Sequence, residues 1–225
     1  MNNVVKILNS DLRFPVNNIY CIGKNYSEHI KELGGKEIPE VPVIFLKPNS
    51  ALITDNSDIS IPVYRDNLIS NELHYETEIV ILISKDGENI PEENSNEFIF
   101  GYGIGFDLTL RDVQSVAKTK GLPWATAKGF KGSAPVSAFI KKEDFPESKS
   151  LSIEMFKNGE LKQKADSSEM IFSIEKIISY ISYVFGLSKG DLIFTGTPSG
   201  VGQINPNDIL SANLSGVISL NIKVK

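Results

Sequence analysis

Short runs of apolar residues, separated by glycine, proline and asparagine, predict a chain built mostly of β-strands. The run at 41–48 stops at Pro48 and is predicted to be a buried strand. Alternate glycines in 98–112 imply a strand that bends or that another backbone approaches closely. The predicted strands occupy 17–23, 41–48, 73–83, 98–112, 190–202 and 216–225, and the fifth of these continues into a glycine-rich loop.

Two other segments have the apolar spacing of a helix. In 173–186 apolar residues recur every three or four positions, Ser173 is placed to cap the start, and Gly186 is placed to end it. Segment 25–34 is predicted to be a short helix that closes at Gly34, with Ile30 and Leu33 as its anchors. Strands therefore outnumber helices.

The balance of elements predicts a mixed α/β fold that is predominantly β and mostly antiparallel, with a few flanking helices. Segment 152–165 adds a hairpin with a turn at Asn158–Gly159. The length of 225 residues suits one domain spanning 1–225, of which 1–50 form an N-terminal elaboration that carries the helix at 25–34.

Composition excludes several classes of protein. Hydrophobic residues make up 41% of the chain, so a sizeable core can form, and the net charge of −5 without a basic run argues against a nucleic-acid partner. Cys21 is the only cysteine, which excludes an internal disulfide. The N-terminal residues are too polar for a signal peptide, and no apolar stretch is long enough for a membrane span, so we expect a cytoplasmic protein.

Two acids stand where a core strand begins. Glu76 and Glu78 are separated by one residue, so on a strand they share a face, and an unbroken apolar run follows them at 79–83. Side-by-side carboxylates that lose solvent repel each other, and a divalent cation such as Mg²⁺ would offset that cost. Asp107, at the end of another apolar run, offers a third oxygen ligand. The alternative is a Glu-x-Glu pair on a solvated strand face.

His29 and Glu32 lie three residues apart on the predicted short helix and therefore on one face. A carboxylate beside an imidazole orients the ring and raises its basicity, which suits a general base. The alternative is a chance charge pair on a surface helix. His74 is interpreted as a polar residue leading into its strand, because a third ligand on that face would crowd the ion.

Six motifs together resemble the fumarylacetoacetate hydrolase superfamily. They occur in the family's order between about Asn18 and Val224, and "RDVQ" and "KGLPW" are typical of its acylpyruvate hydrolase and oxaloacetate decarboxylase branch. The motifs are "IYCIGKNYSEHIKELG", "FLKPNSALI", "HYETEIVILIS", "GYGIGFDLTLRDVQ", "KGLPWATAKGF" and "GDLIFTGTPSGVG".

The resemblance implies a fumarylacetoacetate hydrolase-like β-roll, a homodimer, and Mg²⁺ or Mn²⁺ as the cofactor. It also implies roles for ten residues. Glu76, Glu78 and Asp107 match the metal ligands. His29, Glu32 and Lys128 match the catalytic residues, the first two on a mobile lid. Residues matching the substrate contacts are Gln114, Thr197, Arg111 and Lys47.

Two departures from the family pattern affect expected contacts. Lys24 stands where relatives usually have arginine, and the two side chains are not interchangeable at a bidentate contact. Gly129 follows Lys128 where relatives often have serine, and Lys131 adds a charge in the same loop.

The expected function is metal-dependent C–C bond cleavage of short 2,4-dioxo or 2-oxo acids through a pyruvate enolate. Acylpyruvate hydrolysis and oxaloacetate decarboxylation share that enolate, so one site can host both. The alternative enzyme is an isomerase, tautomerase or hydratase of a related acid. A β-rich binding module with a structural cation is the alternative outside enzymes.

Overall fold

The computed structural model describes residues 3–35, 37–54, 58–146, 148 and 150–225. Short strands dominate these residues, and the α-helices among them are α1 Ser27–Glu32, α2 Arg111–Lys120, α3 Ala125–Lys128 and α4 Ile174–Val184. The strands are β1 Val4–Lys6, β2 Arg13–Pro15, β3 Ile19–Gly23, β4 Val43–Lys47, β5 Leu52–Ile53, β6 Val63–Tyr64, β7 Asn67–Leu68, β8 Leu73–Tyr75, β9 Thr77–Ile83, β10 Ile99–Phe106, β11 Thr109–Leu110, β12 Ala134–Pro135, β13 Ile140–Lys141, β14 Ser152–Lys157, β15 Glu160–Asp166, β16 Leu192–Phe194, β17 Gly202–Gln203, β18 Ile209–Leu214 and β19 Ile218–Lys223.

Three sheets organise most of the strands. A six-stranded sheet has the order β13-β10-β9-β16-β3-β4, a four-stranded sheet the order β15-β14-β18-β19, and a three-stranded sheet the order β11-β8-β17. Within these sheets every neighbouring pair is antiparallel except β16 with β3. The prediction of a predominantly β, mostly antiparallel fold is therefore confirmed.

The unbroken apolar run in β9 exists because the six-stranded sheet is covered on both faces. Ile79, Ile81 and Ile83 belong to the larger core cluster, which also takes in α4 and the inner face of the four-stranded sheet. Val80 and Leu82 belong to a second cluster with side chains from β1 and β2. Neither face of β9 meets solvent, so its polar residues are confined to Thr77 and Glu78 at its start.

The helix predicted at 173–186 is α4. The Ser173 hydroxyl accepts a hydrogen bond of 3.2 Å from the Lys176 amide, and Gly186 has a φ of +72° just beyond the last turn. The apolar stripe is buried as predicted, apart from Phe185, which is 48% exposed and packs on Tyr20 with ring centroids 5.4 Å apart. The predicted hairpin is β14–β15, and both turn residues, Asn158 and Gly159, have positive φ.

The predicted strand 73–83 is two strands. The chain leaves the three-stranded sheet after Tyr75 and enters the six-stranded sheet at Thr77, with Glu76 between them. Segment 98–112 changes sheets at the same level, after Phe106. Because the Asp107 amide donates a hydrogen bond of 2.8 Å to the Glu76 carbonyl, the two crossings are held together, and their acids face one place.

The prediction that 41–48 is a buried strand is wrong. β4 lies at the edge of the six-stranded sheet with β3 as its neighbour, and Leu46 is 48% exposed. Lys47 is the one side chain of β4 that is fully enclosed. An edge strand has one neighbouring strand, so apolar residues there can remain partly in water.

Helix α2 was not predicted because its sequence, "RDVQSVAKTK", carries few apolar side chains at helical spacing. It ends at Gly121, which has a φ of +63°. The predicted close approach of another backbone is confirmed at Gly101 of β10, where a Cβ would lie 2.1 Å from the Ile140 carbonyl oxygen, whereas Gly103 and Gly105 are approached by side chains. Among the described residues, the helices fall short of the length and apolarity that a membrane crossing requires.

Candidate active site

Three carboxylates converge where the two chains change sheets. Glu76 follows β8, Glu78 lies in β9 and pairs with Gly105, and Asp107 follows β10. All three side chains are buried, and one oxygen from each lies within 4.8 Å of the others. The structure thus brings together the three acids that were predicted from the sequence to bind a metal ion.

Three cations contact this acid cluster: Lys128, Arg111 and Lys47. Lys128 Nζ lies 2.7 Å from Glu76 Oε2 and 2.5 Å from Asp107 Oδ2, and it donates to Thr109 Oγ1 at 2.7 Å. Arg111 pairs with the other oxygen of Glu76. Burial lowers the pKa of Lys128, but Asp107 and Glu76 outweigh it, so the net shift is upward and the ammonium stays charged.

The two glutamates differ in their electrostatic surroundings. Burial raises the pKa of Glu76, but Lys128 and Arg111 outweigh it and hold that pKa below its usual range. Glu78 forms no ion pair with any described residue, and its Oε2 accepts a hydrogen bond of 2.7 Å from the Gly196 amide. Burial, followed by the charges of Asp107 and Glu76, raises the pKa of Glu78 well above its usual value.

These side chains fit a hard divalent cation. Asp107 Oδ1 is buried and accepts no hydrogen bond from the described residues, although Lys47 Nζ lies 2.8 Å away as an ion pair outside hydrogen-bond geometry. A cation would use that free lone pair and supply the positive charge that Glu78 lacks. Glu76, Glu78 and Asp107 are the residues that would hold Mg²⁺ or Mn²⁺, since carboxylate oxygen suits both.

The pair at 29 and 32 lies on α1, as predicted. His29 Nδ1 is 3.2 Å from Glu32 Oε2, while Glu32 Oε1 accepts a hydrogen bond of 3.0 Å from the Gly200 amide. Burial lowers the pKa of His29, and the opposing charges of Glu76 and Glu32 reduce that shift without reversing it. The ring is therefore neutral at pH 7, and its bond to Glu32 leaves Nε2 free to accept a proton.

The anchors of α1 differ in part from the prediction. Ile30 is buried, but Leu33 is 44% exposed and lines the cavity. The hydrogen bond from the Gly200 amide to Glu32 anchors α1 at this end, where the predicted contact of Leu33 is missing. Gly200 is itself fixed against the hairpin β14–β15, since its φ is +95° and an added Cβ would lie 2.1 Å from the Lys162 carbonyl oxygen.

A cavity of about 400 Å³ opens above the acid cluster. Eight of the ten predicted site residues line it: Glu76, Glu78, Asp107, His29, Lys128, Gln114, Arg111 and Thr197. Glu32 stands behind His29 and holds its ring. An enclosed volume with one acidic end and several cationic side chains suits a small anionic ligand.

The predicted substrate contacts differ in their surroundings. Arg111 Nη1 donates to Gln114 Oε1 at 2.7 Å, so the two side chains form one unit on the wall. The Thr197 hydroxyl donates to the Thr77 carbonyl and accepts from Gln163, which fixes its direction. Lys47 does not line the cavity: it is buried beneath Asp107 and donates to Ser133 Oγ at 3.0 Å. The structure places Lys47 as a support for Asp107.

Among the wall residues that were not predicted as site residues, four are aromatic or cationic: Phe45, Lys118, Trp124 and Lys24. Trp124 lies in the motif "KGLPW", whose sequence resembles the family but does not by itself indicate a ligand contact. Lys118 lies on α2, which the apolar pattern did not reveal. Lys24 has a φ of +60° and sits at the rim, whereas Lys131, the other flagged departure, is exposed and off the wall.

The β-rich fold places three buried acids, flanking lysines and an imidazole around one cavity. This combination is typical of a metal-dependent enzyme. Residues 18–225 match the family described as fumarylacetoacetate (FAA) hydrolase, C-terminal. The chain therefore belongs to the fumarylacetoacetate hydrolase family.

Two relatives extend over nearly the whole chain. It is 47% identical over 208 residues to the mouse protein named oxaloacetate tautomerase FAHD1, mitochondrial, covering 92% of this chain and 91% of that protein. It is 40% identical over 200 residues to the Dictyostelium discoideum protein named oxaloacetate decarboxylase, mitochondrial, covering 88% and 89%.

Among solved structures, the chain is similar to fumarylpyruvate hydrolase from Pseudomonas aeruginosa in complex with Mn²⁺ and pyruvate. The TM-score is 0.92 at 33% identity, with 98% of this chain and 94% of that chain covered. The likeness confirms the fumarylacetoacetate hydrolase-like fold that the motifs implied.

Proposed function

We propose that this chain is a Mg²⁺- or Mn²⁺-dependent enzyme that cleaves a C–C bond of short 2-oxo or 2,4-dioxo acids, including oxaloacetate. The observation that carries the proposal is the convergence of Glu76, Glu78 and Asp107 with Lys128 at one end of a cavity that His29 also lines. When bound there, the cation supplies Lewis acidity that draws electron density from the keto group of a 2-oxo acid.

Each cationic side chain of the site suits a separate task in enolate formation. Lys128, kept protonated by its acidic neighbours, gives up one of its three hydrogen bonds to Glu76, Asp107 and Thr109 and donates instead to the oxygen that gains negative charge as the enolate forms. Arg111 and Gln114, joined by their 2.7 Å bond, present donors on the wall that orient the substrate carboxylate. Lys47 holds Asp107 from below. Together these cations balance the three acids, so the occupied site attracts a dianion.

His29 supplies the proton transfers. In hydrolysis, neutral Nε2 takes a proton from water, and the water oxygen attacks the carbonyl carbon at position 4 of the acylpyruvate. The bond between carbons 3 and 4 then breaks, its electron pair enters the enolate, and a proton returned to carbon 3 completes pyruvate. In oxaloacetate decarboxylation the same bond breaks with loss of CO₂, and no water is needed.

Oxaloacetate tautomerisation is the second candidate. The relative that is 47% identical is named a tautomerase, whereas the fumarylpyruvate hydrolase is 33% identical. The same residues suffice: Nε2 of His29 removes a proton from carbon 3, Lys128 stabilises the enolate oxygen, and a proton added to that oxygen gives the enol. Tautomerisation keeps all four carbons, so product analysis separates it from cleavage.

The decisive experiment follows the carbon atoms. The protein, loaded with Mg²⁺, is incubated with acetylpyruvate, fumarylpyruvate and oxaloacetate labelled with ¹³C, and products are followed by NMR against a metal-only background. Cleavage gives pyruvate, and tautomerisation gives keto–enol exchange at an unchanged carbon count. If none of the three acids reacts faster with the protein than with the metal alone, the enzyme proposal is wrong and the chain is a binding module with a structural cation.

The proposal extends to a lid, a homodimer and a cytoplasmic location. We expect α1 to open for substrate entry and to close through the Glu32–Gly200 bond, which hydrogen exchange with and without oxalate measures.

The hairpin β6–β7 presents Tyr64 and Val63 at 63% and 58% exposure, as an apolar face suited to a second copy. Light scattering tests the dimer. The mouse relative is named mitochondrial, so cell fractionation tests the location.

A further inference from the structure

The cavity wall continues beyond the acid cluster as a pair of aromatic rings with a lysine at each end. The Phe45 and Trp124 centroids are 5.9 Å apart at 61°, in an edge-to-face contact. Lys128 Nζ lies 5.2 Å from the Phe45 centroid, on the side of the acids. Lys118 Nζ lies 5.3 Å from the Trp124 centroid, at the other end. All four residues line the cavity.

Lys118 differs from Lys128 in having no acid to pair with. Among the described residues no carboxylate forms an ion pair with Lys118, and Trp124 holds its ammonium through a cation–π contact. Burial, and then the charge of Arg111, lowers the pKa of Lys118; Glu76 opposes this shift without reversing it, and Lys128 and Lys24 add to the lowering. Lys118 is exposed where it lines the cavity, so an anion that enters from solvent can stabilise its charge.

The shape of the wall determines which anion fits. A ligand held by its 2-oxo acid group at the acid cluster directs the rest of its carbon chain along Phe45 and Trp124, where apolar contact is favourable. Its far end then approaches Lys118. The volume of about 400 Å³ leaves room for that chain beyond the carboxylates. A ligand with a charged group at both ends satisfies both lysines, and one with a methyl terminus leaves Lys118 without a partner.

We infer that Lys118, held in place by Trp124, is a specificity-determining residue that binds the second carboxylate of a 2-oxo dicarboxylate. The inference rests on the proposed function, because it takes the 2-oxo acid group to lie at Glu76, Glu78 and Asp107. It adds a selection step to that function: the acid cluster accepts any 2-oxo acid, and Lys118 favours those with two carboxylates.

Binding measurements test the inference without turnover. In the presence of Mg²⁺, calorimetry compares 2-oxopentanedioate with 2-oxopentanoate, two five-carbon 2-oxo acids that differ in the second carboxylate. Lys118→Met should weaken the diacid about fivefold, as the loss of one ion pair at an exposed side chain does at most, and change the monoacid less than twofold. Lys118→Arg should restore diacid affinity. Lys120→Met, on the same helix but off the cavity wall, is the matched control and should change neither.

Kinetics supply the second measurement. For fumarylpyruvate, Lys118→Met should raise KM about fivefold with kcat within twofold, because the second carboxylate of that substrate lies three carbons beyond the C3–C4 bond that breaks. Trp124→Leu, which removes the ring under the ammonium, should raise the same KM by a smaller factor. Acetylpyruvate, with a methyl terminus, should keep its KM in both variants.

The outcomes separate this inference from the function on which it rests. If wild-type protein prefers the diacid and Lys118→Met removes the preference, Lys118 selects the second carboxylate even if no 2-oxo acid is turned over. If the wild type turns over oxaloacetate but binds both five-carbon acids equally, the proposed function stands and the inference is overturned. Equal weakening of both acids by Lys118→Met also overturns it, since that result assigns Lys118 to the common 2-oxo acid end.

Discussion

Lys47 Nζ lies 2.8 Å from Asp107 Oδ1, and both side chains are enclosed by protein. Lys47 also donates to the carbonyl oxygen of Lys128 and to Ser133 Oγ. One buried ammonium therefore fixes an acid of the cluster and the backbone that carries the active-site lysine. Its enclosure explains why β4, an edge strand with a half-exposed outer face, contributes a buried lysine to the centre of the molecule.

We predict that Lys47→Met lowers the free energy of unfolding by about 3 kcal/mol or more in metal-free buffer, because Asp107 loses a buried charge partner. Urea unfolding monitored by circular dichroism measures the change. Lys85→Met removes a surface ion pair with Glu97 and should cost less than about 1 kcal/mol. Unchanged stability with a raised KM would instead show that Lys47 contacts the substrate, as the sequence predicted.

Removal of the cation should lower the melting temperature. A ligand that binds the folded chain alone stabilises it, by about 2.7 kcal/mol at a hundred times its Kd, so Mg²⁺ or Mn²⁺ should raise the melting temperature and EDTA should reverse the rise. Glu78→Gln should abolish this response, since it replaces one of the three converging carboxylates. Scanning calorimetry with and without metal measures both effects.

Glu93→Gln is the matched control for that experiment, because Glu93 is an exposed acid that does not line the cavity. It should keep the full metal response. A response to Mg²⁺ that survives Glu78→Gln unchanged would mean that the cation binds somewhere else.

Local sequence patterns predicted much of this fold. Alternation and turn residues gave the hairpin at 152–165 and the closing strand at 216–225, since both depend on neighbours in the chain. The break at Glu76 was not predictable in the same way, because it depends on two sheets formed by distant strands. The edge position of β4 also follows from the lateral order of the sheet, which apolar runs do not specify.

The site was predictable to the extent that its chemistry lies in acids and a histidine. Two acids at the start of a core strand indicate unfavourable repulsion and desolvation of buried carboxylates. In the structure Lys128 and Arg111 offset that free-energy cost, and the three acids also have a geometry that suits a bound cation. Lys118 and Trp124 gave no comparable signal, because a lysine on a polar helix and a single tryptophan are ordinary in sequence. Their meaning depends on the 5.3 Å contact that the fold creates.

Lys128→Met should lower turnover about 10²-fold or more for acylpyruvate hydrolysis and oxaloacetate decarboxylation alike, since both lose one donor to the enolate oxygen. Steady-state assays on both substrates with one enzyme preparation measure the two losses. Lys131→Met, in the turn that follows α3 and exposed, should leave both rates near the wild type. Wild-type turnover in Lys128→Met would make Lys128 a structural partner of Glu76 and Asp107.

The pH profile should report the imidazole of His29. Burial lowers its pKa below the usual 6.5, and the base form is the active one, so kcat/KM should be full above pH 6.5 and fall as pH drops through the lowered value. Glu32 acts to raise this pKa, so Glu32→Gln should move the acid limb to lower pH while it slows the reaction. The same pKa shift affects folding. As pH drops below the usual 6.5, the unfolded chain takes up a proton before the folded chain does, so the free energy of unfolding decreases as pH is lowered in that range.

A kcat/KM profile from pH 4 to 9 on both proteins tests this assignment. An acid limb that lies above pH 6.5, or one that Glu32→Gln leaves in place, would assign the limb to another group.

His29→Ala separates chemistry from binding. Acylpyruvate hydrolysis needs an activated water, so it should fall by about 10²- to 10⁴-fold when the base is removed. Decarboxylation needs no water nucleophile and should fall less. Oxalate affinity should change little, because the acid cluster, Arg111 and Lys128 remain, and α1 can still close through the bond between Glu32 and the Gly200 amide. All three quantities are measured on one preparation, with Lys31→Ala, an exposed neighbour on α1, as the control. Equal losses in hydrolysis and oxalate binding would assign His29 to binding or folding, and the base would then have to be another residue of the cavity.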